Sequence, residues 1–491
     1  MDNLIPDEVR REVLARITPT EEELLNQTEV ISTIKDALVQ RADSIGFHYS
    51  FIEPQGSTGR KQTQLRNVAD IDLFVGLNPD NHSNILELPQ SQRHERIDQL
   101  MTQIVDEWFA PAVSKLDVSR VQKTYSQHAY LSLHMKGLEV DILGCFDIDS
   151  ETLSESGPFT AVDRTVHHTQ YVADNLTAEK RENARILKSF VRACHAYGDR
   201  CAVGRMGLTG VSLELLAIFS SKLDDAFQSL ENLKENPIDP RNRSLKELQK
   251  IETFKDNHIF LIDPTDNRRN IASSFTPRSY RWVKHRIGTL REVSDDEAVL
   301  DLLVESPIPI TDIPTWLKEH VAVFEFQSDG EIHYTILRDK LYRIAKKAQN
   351  QLSVERTGEP RFGMSLMEVY FEKENFAVGI VVENHEISEQ YLRRGPPSDM
   401  IEASKEFKKK HPEAELRDGF YWICEKREWN SAKSMFEEFL LRNSINGLSP
   451  TKKSDVSKRV LSILEQFVFP IEPDLPQRIT RVKDRAKEKP G

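Results

Sequence analysis

A chain of 491 residues exceeds what one hydrophobic core usually organises, and implies about three domains of ~150 residues each. With 38% hydrophobic residues and a net charge of -12 spread along the chain, it reads as globular and not disordered; the acidic balance argues against a general nucleic-acid binder, so any RNA site must be a local basic patch. No apolar run approaches the ~20 residues that span a bilayer, the opening MDNLIPDEVRREVL is charged where a signal peptide is apolar, and Cys145, Cys194, Cys201 and Cys424 lack disulfide or zinc spacing, so a cytoplasmic protein with reduced thiols is expected.

Residues 6–48 read as helical: Thr20 followed by Glu23 forms a capping-box pattern, and Val30, Ile34 and Leu38 recur at helical spacing. Strands are expected at 71–77 and 138–146, with helix near 91–109 and a β segment near 128–134 between them. From Thr177 to Tyr197 the pattern is again helical, with Ile186, Phe190, Ala193, Cys194 and Tyr197 on one face and a basic stripe of Arg181, Arg185, Lys188 and Arg192 on another. GLTGVSLELLAIFSSKLDDAF reads as one more buried helix, and IDPTDNRRN (262–270) as a charged loop bridging domains. Beyond it AVFEF, SLMEVYFE and FAVGIVVE are strand-like, YTILRDKLYRIAKKAQNQL is an amphipathic helix, and TRVKDRAKEKPG reads as a frayed end.

The stretch GSTGRKQTQLRNVADIDLFVGL (56–77) carries the chemistry. On a strand, Asp70 and Asp72 project to one face while Ile71 and Leu73 point to the other. Carboxylates held that close repel unless a cation lies between them, and magnesium prefers such oxygen ligands. Asp141 stands in LEVDIL, in a mostly apolar strand where an unpaired charge is costly, and is the third ligand expected from a neighbouring strand. Gly56 and Ser57 can turn their backbone N–H groups and a hydroxyl toward phosphate, with Arg60 or Lys61 adding charge. Together these features point to a two-metal nucleotidyltransferase site at Asp70, Asp72 and Asp141.

The pattern G-S, then ten to fourteen residues, then D-x-D, plus a later strand Asp, resembles the polymerase-β-like nucleotidyltransferase superfamily. Within it, FTAVDRTVHHTQYV, ILKSFVRACHAYG, GLTGVSLELL, IDPTDNRRNIA and RRGPP through GFYWICEKREW resemble, in order, the motifs of archaeal (class I) CCA-adding enzymes, over about Pro19 to Trp429. The resemblance implies an α+β fold: a nucleotidyltransferase head with a mixed sheet (1–150), a helical neck or central domain completing the nucleotide pocket (151–285), and an α+β C-terminal body and tail that binds the tRNA acceptor stem (286–491). It implies template-independent addition of C, C and A to the tRNA 3′ end from CTP and ATP, with Mg2+ on Asp70, Asp72 and Asp141, in a chain that admits a homodimer. By the same resemblance Gly56 and Ser57 hold triphosphate, His168, Lys188 and Tyr197 correspond to triphosphate and sugar contacts, and Arg269 to the arginine that reads the incoming base.

The chain departs from the family at several points. One extra loop residue leaves Arg60 and Lys61 as alternatives for the phosphate-loop base, Gln64 stands where Trp is frequent, and TGVSLELL lacks an aromatic near the pocket. A relative that has left tRNA and makes a nucleotide or oligonucleotide signal, for example in antiviral defence, is the rival reading; a catalytically silent RNA binder is a third. Each residue also has a plainer role open to it. The basic stripe could be a solvated face, Tyr197 before Gly198 could simply pack and cap, and Arg268 or Arg269 could pair with Asp263 or Asp266. In the C-terminal half, YLRRG and KEFKKKH are the expected RNA backbone contacts.

Overall fold

Alternation of apolar and polar side chains builds the first sheet. In β2 (Asp70–Leu77), Ile71, Leu73 and Val75 are fully buried, and in β5 (Leu138–Phe146) so are Val140 and Ile142. The computed structural model describes residues 4–68, 70–125, 128–452 and 455–487. Five strands run in the order β1-β2-β5-β4-β3, where β1 is Phe51–Pro54, β3 is Ser119–Tyr125 and β4 is Ala129–Met135. Only β2 and β5 are parallel; the other pairings are antiparallel.

The helix Glu21–Ile45 starts with the expected capping box at Thr20 and Glu23 and packs Val30, Ile34, Leu38 and Ala42 into the core beneath this sheet. Trp108 joins them, its indole N–H donating to Leu38 O over 2.8 Å. Two strands of this sheet went unforeseen, for physical reasons. The β1 segment has four residues and ends in proline, and β3 is a polar edge strand that is mostly exposed, so neither carries an alternating apolar signal.

Contacts divide the chain into two compact units, one formed by Met1–Arg200 with Met206–Ser306, the other by Cys201–Arg205 with Pro307–Gly491. In the first unit the helix expected to reach Tyr197 spans Ala178–Ala193, because His195 takes a left-handed φ of 50° that ends it. The apolar stretch read as one helix forms two, Gly210–Phe219 and Leu223–Glu231, separated where Ser220 and Lys222 are extended. IDPTDNRRN lies inside this unit, as a hairpin-like loop closed by a bridge between Ile262 and Asn270.

In the second unit an antiparallel sheet runs β12-β6-β8-β7, with β6 Val321–Ser328, β7 Ser365–Glu372, β8 Asn375–Val382 and β12 Leu448–Thr451. The helix Tyr334–Ser353 buries Leu337, Leu341 and Ala345 in its core. A three-stranded sheet, β10-β11-β9, pairs Glu415–Arg417, Phe420–Lys426 and Gln390–Pro397, and the helix Ile401–Lys410 carries the KEFKKKH lysines. Of the end read as frayed, 480–487 belong instead to the helix Asp474–Lys487, and 488–491 lie outside the described residues. Among the described residues no helix is long and apolar enough to cross a membrane.

Candidate active site

The parallel register of β2 and β5 sets Asp70 beside Glu139 and Asp72 beside Asp141. Because neighbouring strands lie about 4.8 Å apart, four carboxylates form a two-by-two row on one face while the alternate residues fill the core. The preceding loop lies over this row. Gln55 N donates to Asp72 O over 2.7 Å, and Thr58 Oγ1 donates to Asp70 O over 3.1 Å. Gly56 is required here twice: its φ is +64°, and a Cβ on it would collide with Asp72 Oδ2.

The electrostatics of the row are unbalanced. Burial, then the neighbouring Asp70, push the Asp72 carboxyl up to about 6 against the pull of Lys61. Burial pushes Asp141 up to about 7, with Asp72, Glu139 and Asp70 adding to it and a Ser132 hydrogen bond opposing. Asp70 is raised too, by burial and Glu139, while Arg200 and Arg192 oppose. Asp141 Oδ1 is buried with no hydrogen-bond partner. Among the described residues no set of three His, Cys, Asp or Glu side chains stands in a ready-made metal-binding arrangement. An orphaned carboxylate oxygen within a row of crowded acids nevertheless fits a divalent cation, whose charge would offset the repulsion.

The basic residues expected near phosphate divide sharply. Lys61 and Lys188 are buried and share one carboxylate, Glu214, at 2.9 Å and 2.7 Å. Lys188 Nζ also donates to Thr63 O at 3.1 Å and Thr63 Oγ1 at 2.8 Å, so all three of its N–H bonds are engaged within the protein. Lys188, expected at the triphosphate, is thus engaged with Glu214 and Thr63. Burial alone would raise Glu214, but Lys188 and Lys61 hold it at about 2. Arg60, by contrast, is more than half exposed at 56% and reaches Glu53 at 3.1 Å and Gln170 at 3.0 Å.

Tyr197 sits against this cluster. A Cβ on Gly210, at the start of the 210–219 helix, would meet Tyr197 Oη at 2.6 Å and Lys188 Nζ at 3.5 Å. Burial and Glu214 keep the Tyr197 hydroxyl protonated, and the Arg192 guanidinium lies 5.6 Å from its ring centre. Tyr197 and Asp70 line a cleft of about 750 Å3 together with Gln27, Glu139, Arg192 and Arg200.

His168 and Arg269 form a separate group around Asp263. His168 Nε2 lies 2.5 Å from Asp263 Oδ2, and Arg269 Nη1 lies 3.3 Å from the same nitrogen and 3.4 Å from the carboxylate. Burial works against the Asp263 charge, yet His168 and the Thr265 hydroxyl and N–H hold it at about 2. Arg268 approaches Asp266 at 3.5 Å, so the pairing open to both arginines is present. His167 instead contacts Ile148 O at 3.0 Å.

Sequence reasoning missed Glu214, Thr63 and Glu139. Glu214 had a usable signal, since it is the single charge in the apolar GVSLELLAIF, the same argument that singled out Asp141.

The fold is α+β, and its first sheet carries the row of four carboxylates on one face. A family model described as tRNA nucleotidyltransferase, second domain, matches residues 182–296. The CCA-adding enzyme of Methanosarcina mazei is 24% identical over 464 residues, covering 90% of this chain and 91% of that enzyme. That of Saccharolobus shibatae is 23% identical over 470 residues, 93% of this chain and 98% of its own, and that of Thermococcus gammatolerans 29% over 283 residues, 56% of each. The chain is thus similar to the archaeal CCA-adding enzymes along nearly its whole length.

Proposed function

We propose that this protein adds C, C and A to the 3′ end of tRNA from CTP and ATP without a template. The observation that carries the reading is the register placing Asp72 beside Asp141, under a Gly56–Ser57 turn, in a chain related to CCA-adding enzymes over nine-tenths of its length. The 3′-hydroxyl oxygen attacks the α-phosphorus, the bond to the bridging oxygen breaks, pyrophosphate leaves, and one carboxylate of the row takes the hydroxyl proton.

Asp70, Asp72 and Asp141 are the residues that would hold Mg2+, which when bound supplies positive charge to the phosphoryl oxygens. Gly56 and Ser57 grip the triphosphate through backbone N–H and hydroxyl, and Arg60, the accessible base of the loop, adds charge at its rim. Lys61 and Lys188 act from behind that loop through Glu214. Arg269, oriented by Asp263 and His168, presents a planar fork suited to the edge of the incoming base. Tyr197 offers its ring and hydroxyl along the cleft that begins at Asp70.

On this reading residues 1–150 carry the chemistry, 151–285 complete the nucleotide pocket, and 286–491 hold the acceptor stem. Arg393 and Arg394 on β9 and the lysines of the 401–410 helix, beside half-buried Tyr421, whose ring Lys408 covers at 4.7 Å, suit an RNA backbone.

Labelled CTP and ATP incubated with the full-length protein, with and without tRNA lacking its CCA, test the proposal. Extension that requires tRNA supports it. Product formed without tRNA would instead favour a nucleotide or oligonucleotide signal, and no product at all a silent RNA binder.

A further inference from the structure

Of the basic stripe on the 178–193 helix, Arg192 reaches the cleft beside Tyr197, and the rest, Arg181, Arg185 and Lys188, turns toward the body of the unit. These three face the loop that follows Gly56 and Ser57. Arg181 Nε donates to Lys61 O over 3.1 Å, Arg185 Nη2 to Gln62 O over 2.7 Å, Lys188 Nζ to Thr63 O over 3.1 Å, and Arg185 Nε to Gln64 O over 3.3 Å. Four successive carbonyls, 61–64, are therefore held by three cations spaced four and three residues apart along one helix face. Gln62 among them has a φ of 50°, unusual for a side-chain-bearing residue, so its backbone is bent to present that carbonyl.

A loop that grips an anion must offer N–H groups and keep its carbonyl dipoles turned away, because those oxygens repel phosphate. Cations fixed on the carbonyl side enforce that polarity. Thr63 N in turn donates to Ser57 O over 3.0 Å, which ties the held segment to the Gly56–Ser57 turn.

We propose that Arg181, Arg185 and Lys188 are positioning residues that clasp the carbonyls of residues 61–64 and thereby orient the triphosphate grip from behind, an inference that rests on the nucleotidyltransferase reading above. A grip of this kind acts on bound nucleotide and transition state alike, so its loss appears in KM and not in kcat.

Hydrogen exchange of the 56–66 amides, together with KM and kcat for CTP and ATP, tests the clasp in Arg185→Ala and, to retain one donor, Arg185→Lys. In Arg185→Ala, exchange of the loop and both KM values should rise about tenfold, the loss expected from a charge-assisted hydrogen bond, with kcat within about twofold. Arg185→Lys should recover part of both. Unchanged loop exchange, or a lower thermal midpoint with KM intact, would overturn the clasp, as would a fall in kcat at constant KM. If the wild-type protein extends no tRNA, the functional reading falls by itself, while loop exchange and equilibrium binding of CTP still decide the clasp.

Discussion

Glu214 and the Asp72–Asp141 pair are acids drawn from water in the same unit, yet their surroundings are opposite. Glu214 is buried between Lys61 and Lys188 and held at about 2. Asp72 and Asp141 face each other, burial and their acidic neighbours outweigh the pull of Lys61 on Asp72 and of a Ser132 hydrogen bond on Asp141, and the two are raised to about 6 and about 7. A carboxylate that serves the fold brings its own cations, built in by the chain. On the function proposed above, the row keeps its charge unanswered for a cation that would arrive with the substrate.

Removing a carboxylate from each site should separate the two roles, and the largest effect belongs to the row. Asp70→Ala or Asp72→Ala should lower nucleotide incorporation by about a thousandfold or more while folding and most RNA binding persist. Normal incorporation by either variant, measured with labelled CTP, would remove the row from the chemistry. Thermal unfolding should show Asp72→Asn no less stable than wild type, because it relieves like-charge repulsion.

Glu214→Gln should do the reverse. It leaves two buried ammoniums without their counter-charge, which costs about 3–5 kcal/mol in urea unfolding. A loss below about 1 kcal/mol would mean that the lysines find another partner or shed a proton easily.

The same contrast extends to acid. The folded value of Glu214 lies near 2, below that of an unfolded glutamate at about 4.3, so its contribution is fully present above that unfolded value and is lost as pH falls toward 2. The stability difference between wild type and Glu214→Gln should therefore shrink between about pH 4.5 and 2 and stay flat from pH 5 to 7. A difference that grows on acidification would contradict the ionised Glu214.

How much of this could be read in the sequence follows from distance along the chain. Asp70 and Asp72 are two residues apart, and strand alternation fixes their common face without any tertiary knowledge. Asp141 was legible as a charge in a mostly apolar strand, and the same alternation puts Glu139, two residues before it, on that face; what only the parallel register shows is that Glu139 stands beside Asp70. Lys61 and Glu214 are 153 residues apart, so nothing local announces their pairing. Helical spacing showed that Arg181, Arg185 and Lys188 share a face. It could not show that the face meets carbonyls, since that depends on where the loop lies.

The smallest effect is the one that settles the loop. The extra residue left Arg60 and Lys61 as equal candidates for phosphate, and burial distinguishes them: Lys61 is 6% exposed and fixed on Glu214, Arg60 is 56% exposed and holds Glu53. Arg60→Ala should leave stability within about 0.5 kcal/mol, as expected for a surface ion pair. It should raise KM for CTP and ATP by roughly threefold to tenfold, the loss of one phosphate contact at the rim. Lys61→Met should do the opposite, weakening the fold through Glu214 before it touches nucleotide affinity. If KM rises only in Lys61→Met while stability holds, the buried lysine leaves its cluster to meet the substrate, and the division between structural and reactive charge drawn from Glu214 fails at that residue.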